Sequence, residues 1–107
     1  MENRLTTDDI FYILSHSYRR QILISLLEQN SQYDRAQDPM DIVSDEVDLE
    51  TLEIELVHLH LPKLEGMGCI RWNQDINEIN TGPNYEEIAP LLELLYEHQN
   101  KLPRVQL

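Results

Sequence analysis

His60-Leu61-Pro62-Lys63-Leu64-Glu65-Gly66-Met67-Gly68-Cys69-Ile70 is the stretch whose reading decides the fold. Leu61 and Leu64 continue a helical apolar series, Gly66 and Gly68 supply an exit, and Ile70 opens a segment of alternating polarity. The stretch therefore reads as the end of a helix, a glycine turn and the start of a strand. The helix it ends begins at about Asp48, an N-cap, with Thr51 to Glu53 in its first turn, and runs to about Glu65. Pro62 lies inside it. Proline removes the hydrogen bond to the His58 carbonyl and crowds the preceding turn, so a kink near His58 is expected.

Working downstream, Ile70 to Asn73 and Glu78 to Thr81 are short alternating segments separated by Gln74-Asp75-Ile76-Asn77, which is a hairpin signal. Gly82-Pro83 closes it. Tyr85, Ile88, Leu92 and Leu95 then follow a helical stripe, with Pro90 tolerated if it falls in the first turn. Working upstream, Thr6 and Thr7 place capping hydroxyls ahead of Asp8 and Asp9 and the apolar series Ile10, Phe11, Ile13 and Leu14, so a first helix starts there. Ser15-His16-Ser17 supplies a break, after which Ile22, Leu23, Leu26 and Leu27 recur at the spacing of a second helix ending near Gln29. Residues 30–39 are polar and without period, a surface loop, and Met40 to Val47 forms at most a short helix.

With 107 residues, 41% of them hydrophobic and 26% charged, the chain fits a single globular domain spanning 1–107 and no disordered or fibrous class. Twenty acidic against eight basic residues give a formal charge of -12. In dilute buffer such a surface repels itself and repels phosphate. At molar salt the Debye length falls to roughly 3 Å and the repulsion is screened, so a salt-adapted cytoplasm accounts for the balance. The single Cys69 excludes an intrachain disulfide and reads as a small buried hydrophobe. Neither an export segment nor a run of about 18 apolar residues is present, so a cytoplasmic chain with no membrane partner is expected.

Two patterns, Leu-Ser-x-x-x-Arg-x-x-Ile-Leu at Leu14 to Leu23 and His-Leu-x-x-Leu-x-x-x-Gly-x-Ile at His60 to Ile70, stand in an order that resembles the winged helix-turn-helix of ArsR-type regulators. The chain is more closely similar to a small haloarchaeal winged-helix family of undefined function. The resemblance covers nearly the whole chain. It implies a mainly α fold with a small β-hairpin wing (α+β), divided into two first helices (5–29), a helix-turn-helix (39–66), a wing (69–81) and a C-terminal dimerisation helix (84–101). It further implies a DNA-binding transcriptional regulator of a halophilic archaeon, acting as a homodimer on double-stranded DNA. The reading face would then include Thr51, Glu55, His58 and Lys63. The wing would present Arg71, Asn73, Gln74 and Asn77, and Arg19 and Arg20 would touch phosphates from the second helix.

One feature of the long helix opposes a simple reading face. At 100° per residue Leu49, Leu52, Leu56 and Leu59 make one apolar stripe and Ile54, Val57, Leu61 and Leu64 a second, whereas one core needs only one. The polar wedge left over is narrow: Thr51, Glu55, His58, Pro62 and Glu65. Either the helix is buried on two sides in an intimate dimer, or part of it docks another protein. The alternative function is accordingly a protein-interaction module that keeps the frame and has lost DNA reading. The C-terminal helix, with Tyr85, Ile88, Leu91, Leu92, Leu95 and Tyr96, is more apolar than one small domain requires and is the expected dimer interface, of about 800 Å² per subunit if stable.

No metal or cofactor is expected. His58 and His60 are two apart and diverge by about 200° on a helix. There is no cysteine pair, and His98 with Glu93 and Glu97 reads as a solvated polar face. Nor does any phosphate loop, zinc-hydrolase histidine pair or activated nucleophile indicate an enzyme.

Overall fold

Thr6 begins the ordered helices with a reciprocal cap: its hydroxyl accepts from the Asp9 backbone N–H at 3.0 Å, and the Asp9 carboxylate accepts from the Thr6 N–H at 2.9 Å. The computed structural model describes residues 4–30, 38–43 and 48–102. In chain order these form α1 (Thr7–Leu14), α2 (Ser17–Asn30), α3 (Pro39–Ile42), α4 (Leu49–Glu55), a π-helical turn (Leu56–His60), α5 (Leu61–Gly66), β1 (Ile70–Asn73), β2 (Glu78–Thr81), α6 (Tyr85–Glu97) and a short 3₁₀ turn (Gln99–Lys101). The fold is mainly helical with one antiparallel hairpin, an α+β arrangement. Among the described residues no helix is long and apolar enough to cross a membrane.

The short third helix starts one residue earlier than its apolar members suggest. Asp38 caps it by accepting from the Met40 N–H, and Pro39, with φ preset and no donor to lose, takes the first helical position. The expected continuation to Val47 includes residues 44–47, which lie outside the described residues, as does most of the 30–39 loop.

Pro62 disturbs the long helix by a π turn. The N–H of Leu61 donates to the Leu56 carbonyl, five residues back, and Pro62 follows with no N–H of its own. One extra residue in the turn rotates everything after it. Leu61 and Leu64 are thereby carried onto the same buried side as Leu52 and Leu56, and His60 joins them. The two stripes projected from an ideal helix thus collapse into one face, and burial on two sides is not required. Leu49 (72% exposed), Ile54 (53%) and Leu59 (52%), which belonged to those projected stripes, face outward.

α5 ends in a Schellman arrangement. Cys69 N–H bonds Leu64 O at 2.9 Å and Gly68 N–H bonds Glu65 O at 3.0 Å, with Gly68 at φ +79. The hairpin then pairs Ile70 with Thr81 and Asn73 with Glu78, placing Ile70, Trp72 and Ile79 inward. β1 packs against α5, β2 against α2, and α2 against α1, α3 and α6, so α2 is the central element. Tyr85 anchors α6 by donating its hydroxyl to the Leu23 carbonyl of α2 at 2.8 Å. Pro90 sits in the second turn of α6 rather than the first; the carbonyl it leaves without a donor belongs to exposed Glu86, which water can serve.

Gly82 holds the hairpin base against the helix exit: a Cβ there would lie 2.5 Å from Gly68 O and 2.7 Å from Ile70 N, both backbone. Gly66, by contrast, has open space where a Cβ would go. We expect Gly82→Ala to destabilise the domain by about 1 to 3 kcal/mol through overpacking and Gly66→Ala to be neutral or slightly stabilising. Urea unfolding at fixed molar KCl checks both.

Candidate functional site

A helix that stops leaves its last carbonyls without donors. At the end of α1 those carbonyls are met by arginines from the next helix. Arg19 Nε donates to Ile13 O at 2.9 Å, and its Nη2 donates to Tyr12 O at 2.9 Å and to Ser15 Oγ at 3.1 Å. Arg20 Nη1 donates to Leu14 O at 2.7 Å. Two cations at a helix C-terminus also answer its dipole. The Leu-Ser-x-x-x-Arg pattern is therefore a device for joining α1 to α2. Arg19 is only 5% exposed, so the expected phosphate contact is corrected: this side chain is a buried clasp. Arg20 is half-buried and likewise committed to α1.

The remaining arm of the Arg19 fork reaches the long helix, where Nη1 lies 3.1 Å from His60 Nδ1. A guanidinium can only donate, so Nδ1 accepts and the neutral imidazole carries its proton on Nε2. That Nε2 is buried and has no hydrogen-bond partner among the described residues. His16, at the joint, also uses Nδ1 as an acceptor, from the Tyr18 N–H at 3.1 Å, and so caps the start of α2. The His16 and His60 rings lie 4.2 Å apart between centroids, with Tyr18 edge-on to both. The Tyr12 ring carries the Arg19 guanidinium at 4.9 Å on one approach and Lys63 Nζ at 5.4 Å on another.

Glu55 completes this cluster: one carboxylate oxygen of Glu55 and one ring nitrogen from each of His16 and His60 lie within 4.8 Å of one another. Three such groups could hold an ion, but the tautomers oppose it. A histidine that ligates through Nε2 donates its Nδ1–H to an acceptor. Here both Nδ1 atoms face donors, one the arginine and one a backbone N–H. The cluster is a hydrogen-bonded joint in which Glu55 is the nearby carboxylate. Burial first, then His16 and Arg19, hold the His60 imidazole down at about 4, so it is neutral near neutral pH. Burial likewise pushes the Cys69 thiol up to about 11, which fits a packed hydrophobe.

The sequence-predicted contact residues divide. Lys63, Arg71, Asn73, Gln74, Thr51 and His58 are exposed. Thr51 Oγ1 bonds Asp48 in the cap of α4, Asn73 Oδ1 accepts from Asp75 N–H in the hairpin turn, and Arg71 Nη1 donates to Thr81 O. Asn77 is half-buried at φ 51, with its side-chain oxygen accepting from Trp72 Nε1–H at 3.1 Å, so it shapes the turn instead of reaching outward. Glu55 is half-buried beside the histidines. His58 is an exposed group, and His60 is the structural one.

The proposed dimer helix also needs correcting. Tyr85, Ile88 and Leu92 are buried in the chain's own core and have no surface to offer. Leu91 and Leu95 are half-buried, and Tyr96 is exposed together with Leu94, which the sequence reading passed over. His16 was missed as well; its signal was its place between two helices, three residues before Arg19. No protein-family model, curated protein or solved structure matches the chain.

Two expectations follow. Lysine at position 19 offers one ammonium where the fork serves four partners, so Arg19→Lys should cost about 2 to 3 kcal/mol in urea unfolding. For pH, the folded imidazole of His60 stays neutral to about 4 while the unfolded one protonates near 6.5. The unfolded state therefore binds the extra proton between those values. Stability is fully present above about pH 6.5 and is lost as pH falls towards 4, by about 3 kcal/mol in all. His60→Gln should flatten that part of the stability-against-pH curve.

Proposed function

We propose that the chain is a winged-helix regulator that docks on double-stranded DNA as a homodimer. The observation that carries this reading is the hairpin standing directly behind the long helix, packed on α5, with Lys63 on α5 and Arg71, Asn73 and Gln74 on the hairpin all facing outward. Side chains of this kind serve as phosphate and groove contacts in helix-turn-helix frames. With Arg19 and Arg20 committed to α1, the cationic contacts fall to Lys63 and Arg71. The acidic surface restricts such docking to high salt, where repulsion between the chain and the phosphates is screened. In this reading the second subunit covers Leu91, Leu94, Leu95 and Tyr96 of α6.

A second reading, a module that binds a protein, is favoured by the exposed apolar residues of α4 and the π turn. These elements carry exposed Leu49, Ile54 and Leu59 beside exposed Glu50 and Glu53, a mixture that suits a protein partner better than phosphate. Fluorescence anisotropy of random duplex DNA across about 0.2 to 3 M KCl separates the two. The regulator reading expects saturable binding that Lys63→Ala and Arg71→Ala each weaken uniformly over sequence, lowering the salt slope by about 1 apiece. Intact dimers with no binding at any salt would support the protein-docking module instead.

A further inference from the structure

Of the two ring nitrogens of His60, just one is engaged among the described residues. Nδ1 accepts from Arg19, which is itself pinned to Ile13, Tyr12 and Ser15. Nε2 carries a proton into a buried space with no acceptor in hydrogen-bond reach among the described residues, while the Glu55 carboxylate stands in the same cluster within 4.8 Å. A second proton on this ring could go only to Nδ1, where it would face a guanidinium donor. Two donors cannot share a hydrogen bond, and two cations at that distance repel. The bond to Arg19 must then break, and among the described residues the carboxylate clustered with this ring is that of Glu55.

We propose that His60 is a two-position proton switch: neutral, it clasps Arg19 of α2; protonated, it releases Arg19 and pairs through Nε2–H with the Glu55 carboxylate. Glu55 immediately precedes the π turn and His60 closes it, so the exchange moves a contact from between two helices to within one. It uncouples the long helix from the α1–α2 joint. The groups facing His60 agree with this. His16 and Tyr18 face the ring and Arg19 faces Nδ1; behind them Ser15 and Tyr12 meet the Arg19 guanidinium, and Lys63 lies on the other approach to Tyr12. The carboxylate of this cluster is that of Glu55. Burial keeps the neutral position occupied down to about pH 4. The inference does not depend on what the domain binds.

The test is an NMR titration of the whole chain in molar KCl, following the His60 ring carbons and the Arg19 Nε–H. In the wild-type chain the Arg19 signal should shift with the His60 midpoint while the amide spectrum stays dispersed. Glu55→Gln removes the counter-ion and should lower the His60 protonation constant about tenfold, one pH unit downward. An Arg19 signal that stays still through the His60 titration overturns the proposal, as does global unfolding before Arg19 responds. An unmoved His60 midpoint in a folded Glu55→Gln chain overturns it too. Should that variant fail to fold, the joint titration of His60 and Arg19 in the wild-type chain decides alone.

Discussion

One guanidinium holds three pieces of this molecule in place. Arg19 satisfies the carbonyls that α1 leaves open, supports the Ser15 hydroxyl between the helices, and reaches His60 on the long helix. A charge buried this deeply is tolerated when its donors are met, because hydrogen bonds made to a charged group replace the water it loses. Fixed there, it ties the end of α1 and the start of α2 to the π turn. Everything that follows in the chain, α5, its glycine exit and the hairpin, is placed relative to that turn.

The π turn is a second constraint of the same kind. Proline cannot donate, and the helix absorbs this by widening the turn just before Pro62. The widening changes which residues are inside. Leu52, Leu56, Leu61 and Leu64 come to share one buried face, and a histidine, not an aliphatic residue, stands between them. π turns recur at functional sites, and so do buried titratable groups. The switch proposed for His60 uses both.

Local signals in the sequence were strong enough to place most of the fold. Thr6 with Asp9, Asp48 at the head of α4, the alternation of Ile70 to Asn73 and the Gly82-Pro83 closure each act within a few residues, and each element stands where those residues put it. The π turn was legible as a disturbance, since Pro62 announced it, but a projection at fixed rotation could not say which way the helix would give. That error produced two apolar stripes where there is one. The cluster was harder still. Arg19 and His60 are 41 positions apart and their contact is a tertiary one. An arginine beside a helix break reads equally well as a surface contact or as a cap; burial decides, and burial is set by packing. For α6 an apolar count does not distinguish residues facing the core from residues facing out.

The surface carries the charge that the interior excludes. Arg19 and His60 are the two buried polar side chains of the described core, so the carboxylates of the described residues remain in contact with solvent, where salt screens them. The interior depends on one clasp. Its direct test is a double-mutant cycle of Arg19→Met and His60→Leu, unfolded in urea at pH 7.5 in molar KCl. The account predicts a coupling energy of at least about 1.5 kcal/mol between the two positions; additivity within about 0.5 kcal/mol would contradict it.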